Sequence, residues 1–432
     1  MKIPLVAFLM ALPLAAQPTA GIVQSFQLPN GLRVLLLEDH QHPMIRLQLR
    51  AVWAPAERRE APPSRETTGK APAPEPMAPI PLEPLALRVL DQCSAGNRSR
   101  MAFNRAVEER GLSLQLSSGP DGPVWNLSGG SPEAESAFAL LADAATRPIP
   151  EGGDLDIVRL RLIHELHELG SKESARSNFF RMLERPDLVL EPITEKSLGQ
   201  AHLEAIQRFI VATLRPSRAV LAISGDLNLS QARQLAQVNF GAWNEANAEA
   251  APVAPTAEAG SNGPMSAVLR PPTIVPSDRS ETSIALPFRT LDGKQRAAQD
   301  LLGLWLPRRL GQHRCLVQPG AMGWRSLVLT TEAPEKSIRE ELLALKKSGL
   351  KAEDLEQSKV LWIAGRRALA LHPNDQVSFA AKASLLGAEP SEQEIRELDL
   401  ATFNETARLW LNLDSALVLV FGGNQRNVPK TN

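Results

Sequence analysis

Residues 26–53 read FQLPNGLRVLLLEDHQHPMIRLQLRAVW, and this stretch decides the fold. Within it, residues 44–50 alternate. Ile45, Leu47 and Leu49 fall on one face and Arg46, Gln48 and Arg50 on the other, the period of a strand with one buried side. Asn30-Gly31, set between the apolar runs 26–28 and 32–37, is a hairpin signal because both residues tolerate positive φ. The chain therefore opens as an antiparallel pair followed by a half-buried strand.

Moving outward, residues 55–84 carry nine prolines, a density that blocks both helix and sheet pairing and predicts an exposed or disordered loop. Helices are expected over 100–110 and 132–146, with strands over 112–118 and 123–128. A strongly amphipathic helix is expected over 154–169, where Leu155, Val158, Leu162, Leu166 and Leu169 recur at helical spacing. A helix over 202–214 then feeds a strand over 218–224. Residues 246–277, rich in Ala, Pro, Gly and Ser, read as a linker.

Beyond the linker the plan repeats: strands over 281–288 and 325–331, and helices over 293–306, 334–347 and 351–370. The closing units agree best. AHLEAIQRFIVATL followed by RPSRAVLAISGDL matches DLATFNETARLWL followed by NLDSALVLVFGGN, each a helix, a polar turn and a buried strand ending at glycine. The expected class is α+β, with two homologous domains, each a mainly antiparallel sheet packed against helices. Their expected extents are 17–245, which includes the proline-rich loop, and 278–432, sizes usual for a domain.

Composition narrows the function. A formal net charge of −1 over 432 residues excludes a phosphate-tracking nucleic-acid binder. Residues 1–16, with Lys2, an apolar run over 3–14 and Leu14-Ala15-Ala16, read as a cleaved signal peptide. That apolar run is too short to span a bilayer. No membrane span is expected after cleavage, and the destination is periplasmic or secreted. Cys93 and Cys315 are open to pairing there or to remaining as free buried thiols. Neither a nucleophile-elbow G-x-S-x-G nor a phosphate-binding glycine loop occurs.

The LPNGLRV opening, the duplicated plan, the SGDL strand end followed by FGAW at 240–243, and the central linker together resemble the pitrilysin/insulinase family of zinc peptidases. That family includes mitochondrial processing peptidase and paired bacterial periplasmic peptidases. The resemblance implies a clam-like pair of domains. It also implies zinc held by the two histidines of H-x-x-E-H and by a glutamate from a later helix, with the motif's own glutamate as general base. Three protein ligands leave one zinc position for a water, whose pKa falls to about 7.

Neither H-x-x-E-H nor H-E-x-x-H is present. With Gly96 as the motif's closing glycine, the three catalytic positions fall on Leu87, Leu90 and Asp91. The third-ligand position falls near Glu165 or Glu168. Leucine neither ligates zinc nor accepts a proton, so no catalytic residue, no metal and no cofactor are expected here, although relatives carry zinc. His164 and His167, spaced i and i+3 beside Glu165 and Glu168, are residual metal candidates that read first as the polar face of a helix. The substrate-binding arginine of active members would correspond to Arg309. The tyrosine that accompanies it has no counterpart, since the chain contains none.

The expected function is that of a catalytically inactive peptidase homologue, the non-catalytic partner of an active periplasmic zinc peptidase in a heterodimer, or a homodimer. Such a half would bind extended peptide along a sheet edge. The alternative is a stand-alone peptide-binding or scaffolding protein of the cell envelope. A third reading, an enzyme with a new site at His164 and His167, has only that pair in its favour.

Overall fold

The fold comes from a computed structural model that describes residues 22–53, 82–119, 121–184, 186, 193–243, 273–277, 280–289, 293–311, 313–320, 324–332, 334–386 and 390–422. The expected signal peptide, most of the proline-rich stretch and most of the linker lie outside the described residues.

The opening hairpin forms. β1 (Gln24–Gln27) and β2 (Arg33–Glu38) pair antiparallel across a turn with Gly31 at φ 91°. Asn30 anchors this turn to a distant part of the chain. Its amide nitrogen donates to the carbonyls of Phe240 (2.7 Å) and Trp243 (2.9 Å), and its Oδ1 accepts from the Leu32 amide at 3.2 Å. The LPNGL and FGAW segments thus meet in space.

The first half continues through β3 (Met44–Ala51), α1 (Leu82–Gln92), β4 (Ser94–Ala95), α2 (Arg100–Glu108), β5 (Ser113–Gly119) and β6 (Gly122–Gly130). Then come α3 (Ala134–Thr146), β7 (Pro148–Ile149), α4 (Gly152–Glu184), α5 (Glu195–Gly199), α6 (Leu203–Thr213), β8 (Ala219–Gly225) and α7 (Leu229–Phe240). Its six-stranded sheet runs β1-β2-β8-β3-β6-β5, antiparallel except where β2 meets β8. Residues 82–84, expected in the loop, form the first turn of α1 instead; Pro84 is accommodated there because the amides of that turn have no helical acceptor.

The second half comprises β9 (Thr273–Val275), β10 (Glu281–Phe288), α8 (Gly293–Arg309), β11 (Arg314–Pro319), β12 (Arg325–Thr331), α9 (Glu335–Ser348) and α10 (Ala352–Ala370). It closes with α11 (Pro373–Leu386), α12 (Glu392–Glu397), α13 (Leu400–Trp410) and β13 (Leu417–Phe421). β9 occupies the end of the stretch expected as linker. The second sheet, read β9-β13-β10-β12-β11, reproduces β2-β8-β3-β6-β5 strand for strand. Its single parallel contact, β9 with β13, falls where β2 meets β8. Topology therefore carries the duplication that the closing units announce.

Each sheet is covered on one face by its own helices and on the other by a helix from the opposite half. The helix expected over 154–169 does not stop there. It breaks at Gly170 (φ 64°, ψ 171°) and continues, so that Phe179 and Leu183 lie against Val275, Ala285, Val328, Leu417, Leu419 and Phe421 of the second sheet. In return, Val377 and Ala381 of α11 lie against Leu35, Leu37, Val220 and Ala222 of the first. Arg33 donates to the Ser384 carbonyl, Arg50 Nη2 to Ser378 Oγ at 3.1 Å, and Ser224 Oγ to Asn374 Oδ1 at 2.6 Å. This double covering explains why β2, β8, β10 and β13 are buried at nearly every position rather than at alternate ones.

Candidate functional site

α1 carries the positions where metal ligands are expected. Leu85, Ala86, Val89 and Leu90 are its buried side, packed into the first-half core beside α4 and α6. The chain leaves this helix through Gly96, at φ 61°, whose N–H donates to the Arg147 carbonyl at 2.9 Å. A Cβ on Gly96 would stand 2.7–2.9 Å from the carboxylate of Asp143. That carboxylate is buried and is held by Arg98 at 2.7 Å and by Arg147. The glycine taken as the motif's closing residue thus has a packing reason that owes nothing to a metal.

The degenerate positions have been absorbed into other work. Leu90, the position that the resemblance assigns to the general base, is 6% exposed and belongs to the apolar core. Leu87 is half-buried on the same helix. Asp91 forms an ion pair with Arg100 at 3.7 Å. On α4, Glu165 accepts from Arg88 Nη2 at 3.0 Å, a bond that ties α1 to α4. Glu168 and His164 are exposed, and His167 faces Glu195 of α5 at 3.5 Å. Among the described residues no group of three His, Cys, Asp or Glu side chains is placed to hold a metal. The positions that the resemblance assigns do not fit zinc: two are leucine, Glu165 is engaged by Arg88, and neither it nor the exposed Glu168 belongs to a group of three donors among the described residues. Arg309 is exposed in the last turn of α8 beside Arg308, where cations complement the helix's carbonyl end.

Cys93 and Cys315 are both free. Burial pushes the first thiol up to about 11 and the second up to about 12, far from the thiolate that a nucleophile or metal ligand requires.

What sequence reading missed is the edge of the first sheet. β5, SLQLSSG, pairs with β6 and ends the strand order, so among the described residues no strand pairs with its other edge. It carries no charge and no proline, the usual guards of an edge strand. Two cavities flank its beginning. One, of about 320 Å³, lies on the helix side, lined by Leu114 and Leu116 of β5 with Asp91, Phe103, Val107 and Trp125. The other, of about 240 Å³, lies on the opposite face, lined by Gln115 with Arg46, Gln48, Asn126 and Asn374. The alternation Leu114, Gln115, Leu116 was a readable signal, but the openness of the edge depends on strand order.

No protein-family model matches the chain, and no curated protein matches it in sequence. Solved structures do match. A protease from Helicobacter pylori superposes with a TM-score of 0.69 over 93% of this chain and 100% of that one, at 14% identity. An inactive domain of an M16 peptidase from Pseudomonas fluorescens gives 0.67 over 94% of this chain and all of that domain, at 17% identity. The periplasmic protease PqqL from Escherichia coli gives 0.66 over 93% of this chain but 48% of its own length, at 14% identity. The chain has an M16-like, pitrilysin-type fold, and the likeness at these identities is one of fold.

Proposed function

We propose that this chain is a catalytically inactive M16-like homologue, exported to the periplasm, that serves as the non-catalytic partner of an active zinc peptidase and binds extended peptide along β5. The observation that carries the reading is α1. The helix packs against α4, and on it the positions that the resemblance assigns to His, Glu and His are Leu87, Leu90 and Asp91, of which Leu90 belongs to the core. A scaffold kept without its metal positions fits binding and assembly better than hydrolysis. The inactive domain among the structural neighbours, and a neighbour described as periplasmic, lend support. Among the described residues no helix is long and apolar enough to cross a membrane.

The test is affinity purification of the tagged full chain from its native envelope fraction, with zinc analysis and peptidase assay. A one-to-one partner carrying H-x-x-E-H, whose chelator-sensitive activity rises on adding this chain, is the expected result. Chelator-sensitive hydrolysis by this chain alone would overturn it. Recovery without any such partner would move the reading to a stand-alone binder of the envelope.

A further inference from the structure

The geometry points to the chemistry of the peptide: a strand added to β5 that carries a basic side chain on one face and an acidic side chain on the other. This rests on the reading of β5 as a peptide-binding edge. Successive residues of an added strand point to opposite faces of the sheet, so one enters the helix-side cavity and the next enters the cavity behind. Ser113 lines both cavities, which places them on either side of the same stretch of edge.

The two cavities differ in charge. The helix-side cavity has an apolar floor of Phe103, Val107, Leu114 and Trp125, and its charged groups are Asp91, Arg100 and Glu108. Asp91 and Arg100 pair with each other at 3.7 Å, which leaves Glu108 at the end of α2 as the charge without an ion-pair partner among the described residues. An apolar floor under a lone carboxylate suits a lysine or arginine, whose stem lies on the floor while its head reaches the rim. The opposite cavity is lined by amides and hydroxyls, among them Gln48, Asn126, Ser128 and Asn374, and Arg46 is its sole charged group. Arg46 has no ion-pair partner among the described residues and suits a glutamate or aspartate.

The experiment is fluorescence anisotropy of the full chain with two labelled peptides of equal composition. In one, Glu and Lys alternate; in the other they stand in two blocks. As a strand, the first presents one acidic and one basic face, and the second mixes both signs on each face. The alternating peptide is expected to bind tighter at low salt, by roughly 1.5- to 5-fold for each of the two exposed pairs. The difference should shrink in 1 M salt, where the screening length falls to about 3 Å. Glu108→Lys makes both cavities cationic and should shift preference to an all-Glu peptide, whereas Arg46→Gln should lower the advantage by one pair's share, roughly 1.5- to 5-fold. Both side chains are exposed, so the variants are expected to fold as the parent does. If both peptides bind equally, or if preference is unchanged in both variants, the charge assignment is wrong while the edge reading stands. If no peptide binds, the edge reading itself fails.

Discussion

At the scale of single residues, the tightest constraint after α1 falls on a glycine. Gly96 sits at φ 61° with the Asp143 carboxylate where a Cβ would go, and that carboxylate is fixed by two arginines. Gly96→Ala should cost about 2–3 kcal/mol, the sum of left-handed strain and a displaced buried ion pair. Gly153→Ala, with open space around its Cβ, should cost nothing. Urea midpoints of the two variants check this, and equal midpoints would refute it. Glu184 offers a second test. Burial, reinforced by Glu83 and Asp121 and opposed by Arg181, raises it to about 7 from an ordinary value of 4.5. The fold thus prefers the protonated acid. Its contribution to stability is complete below pH 4.5 and is lost as pH rises through about 7. Glu184→Gln should flatten the stability curve across that window and leave the variant about 1–3 kcal/mol more stable than the parent above it. A parallel curve would remove the assignment. Loss of the metal motif was legible residue by residue, because histidines are countable. That Arg88 would claim Glu165 was not, since the two stand on helices whose approach only the fold defines.

Among the elements, the two exchanged helix segments govern the architecture. Strands such as RVLLLE and AVLAISG are apolar at both parities, a pattern that says both faces are covered but not by what. Helix periodicity located α4 as far as Gly170. It could not carry the helix further, because the apolar positions beyond, Phe179 and Leu183, belong to a different sheet and break phase with those before. α11 was missed for the same reason: its buried residues answer to strands of the other half. By contrast α6 and α13 were legible nearly to the residue, since each buries its face within its own half, and β10 and β12 were legible as apolar runs although one face of each answers to α4 of the other half. Phe179 is the test of the exchange. It is 1% exposed and packs edge-on to Phe180 with ring centroids 5.9 Å apart. Phe179→Ala should cost about 3–5 kcal/mol, the range for a buried phenylalanine. Thermal denaturation of the variant measures it, and a loss within experimental scatter would mean that the second segment of α4 adds little to the second sheet.

For the whole molecule, the exchange has a thermodynamic consequence. A duplicated chain whose halves merely touched would unfold in two steps. Here neither sheet keeps both faces covered without the other half, so separating the halves exposes Leu35, Leu37, Val220 and Ala222 on one side and Val275, Ala285, Val328 and Leu419 on the other. At roughly 1.5–3 kcal/mol for each fully buried large apolar side chain, the three large residues exposed on either side are worth roughly 5–9 kcal/mol, as much as a marginally stable domain has in total. The halves should therefore unfold together. Tryptophans report on both, with Trp53, Trp125 and Trp243 in the first and Trp305, Trp324, Trp362 and Trp410 in the second. Urea curves followed by tryptophan fluorescence and by far-ultraviolet dichroism should superpose as one transition, with a slope set by the surface of the entire chain. The fragment 22–243 alone should bind a hydrophobic dye and lack a cooperative transition, because its first sheet then presents an uncovered apolar face. Two resolved transitions, or a soluble fragment that melts cooperatively, would show that each half is self-sufficient and that the exchanged helices only decorate it.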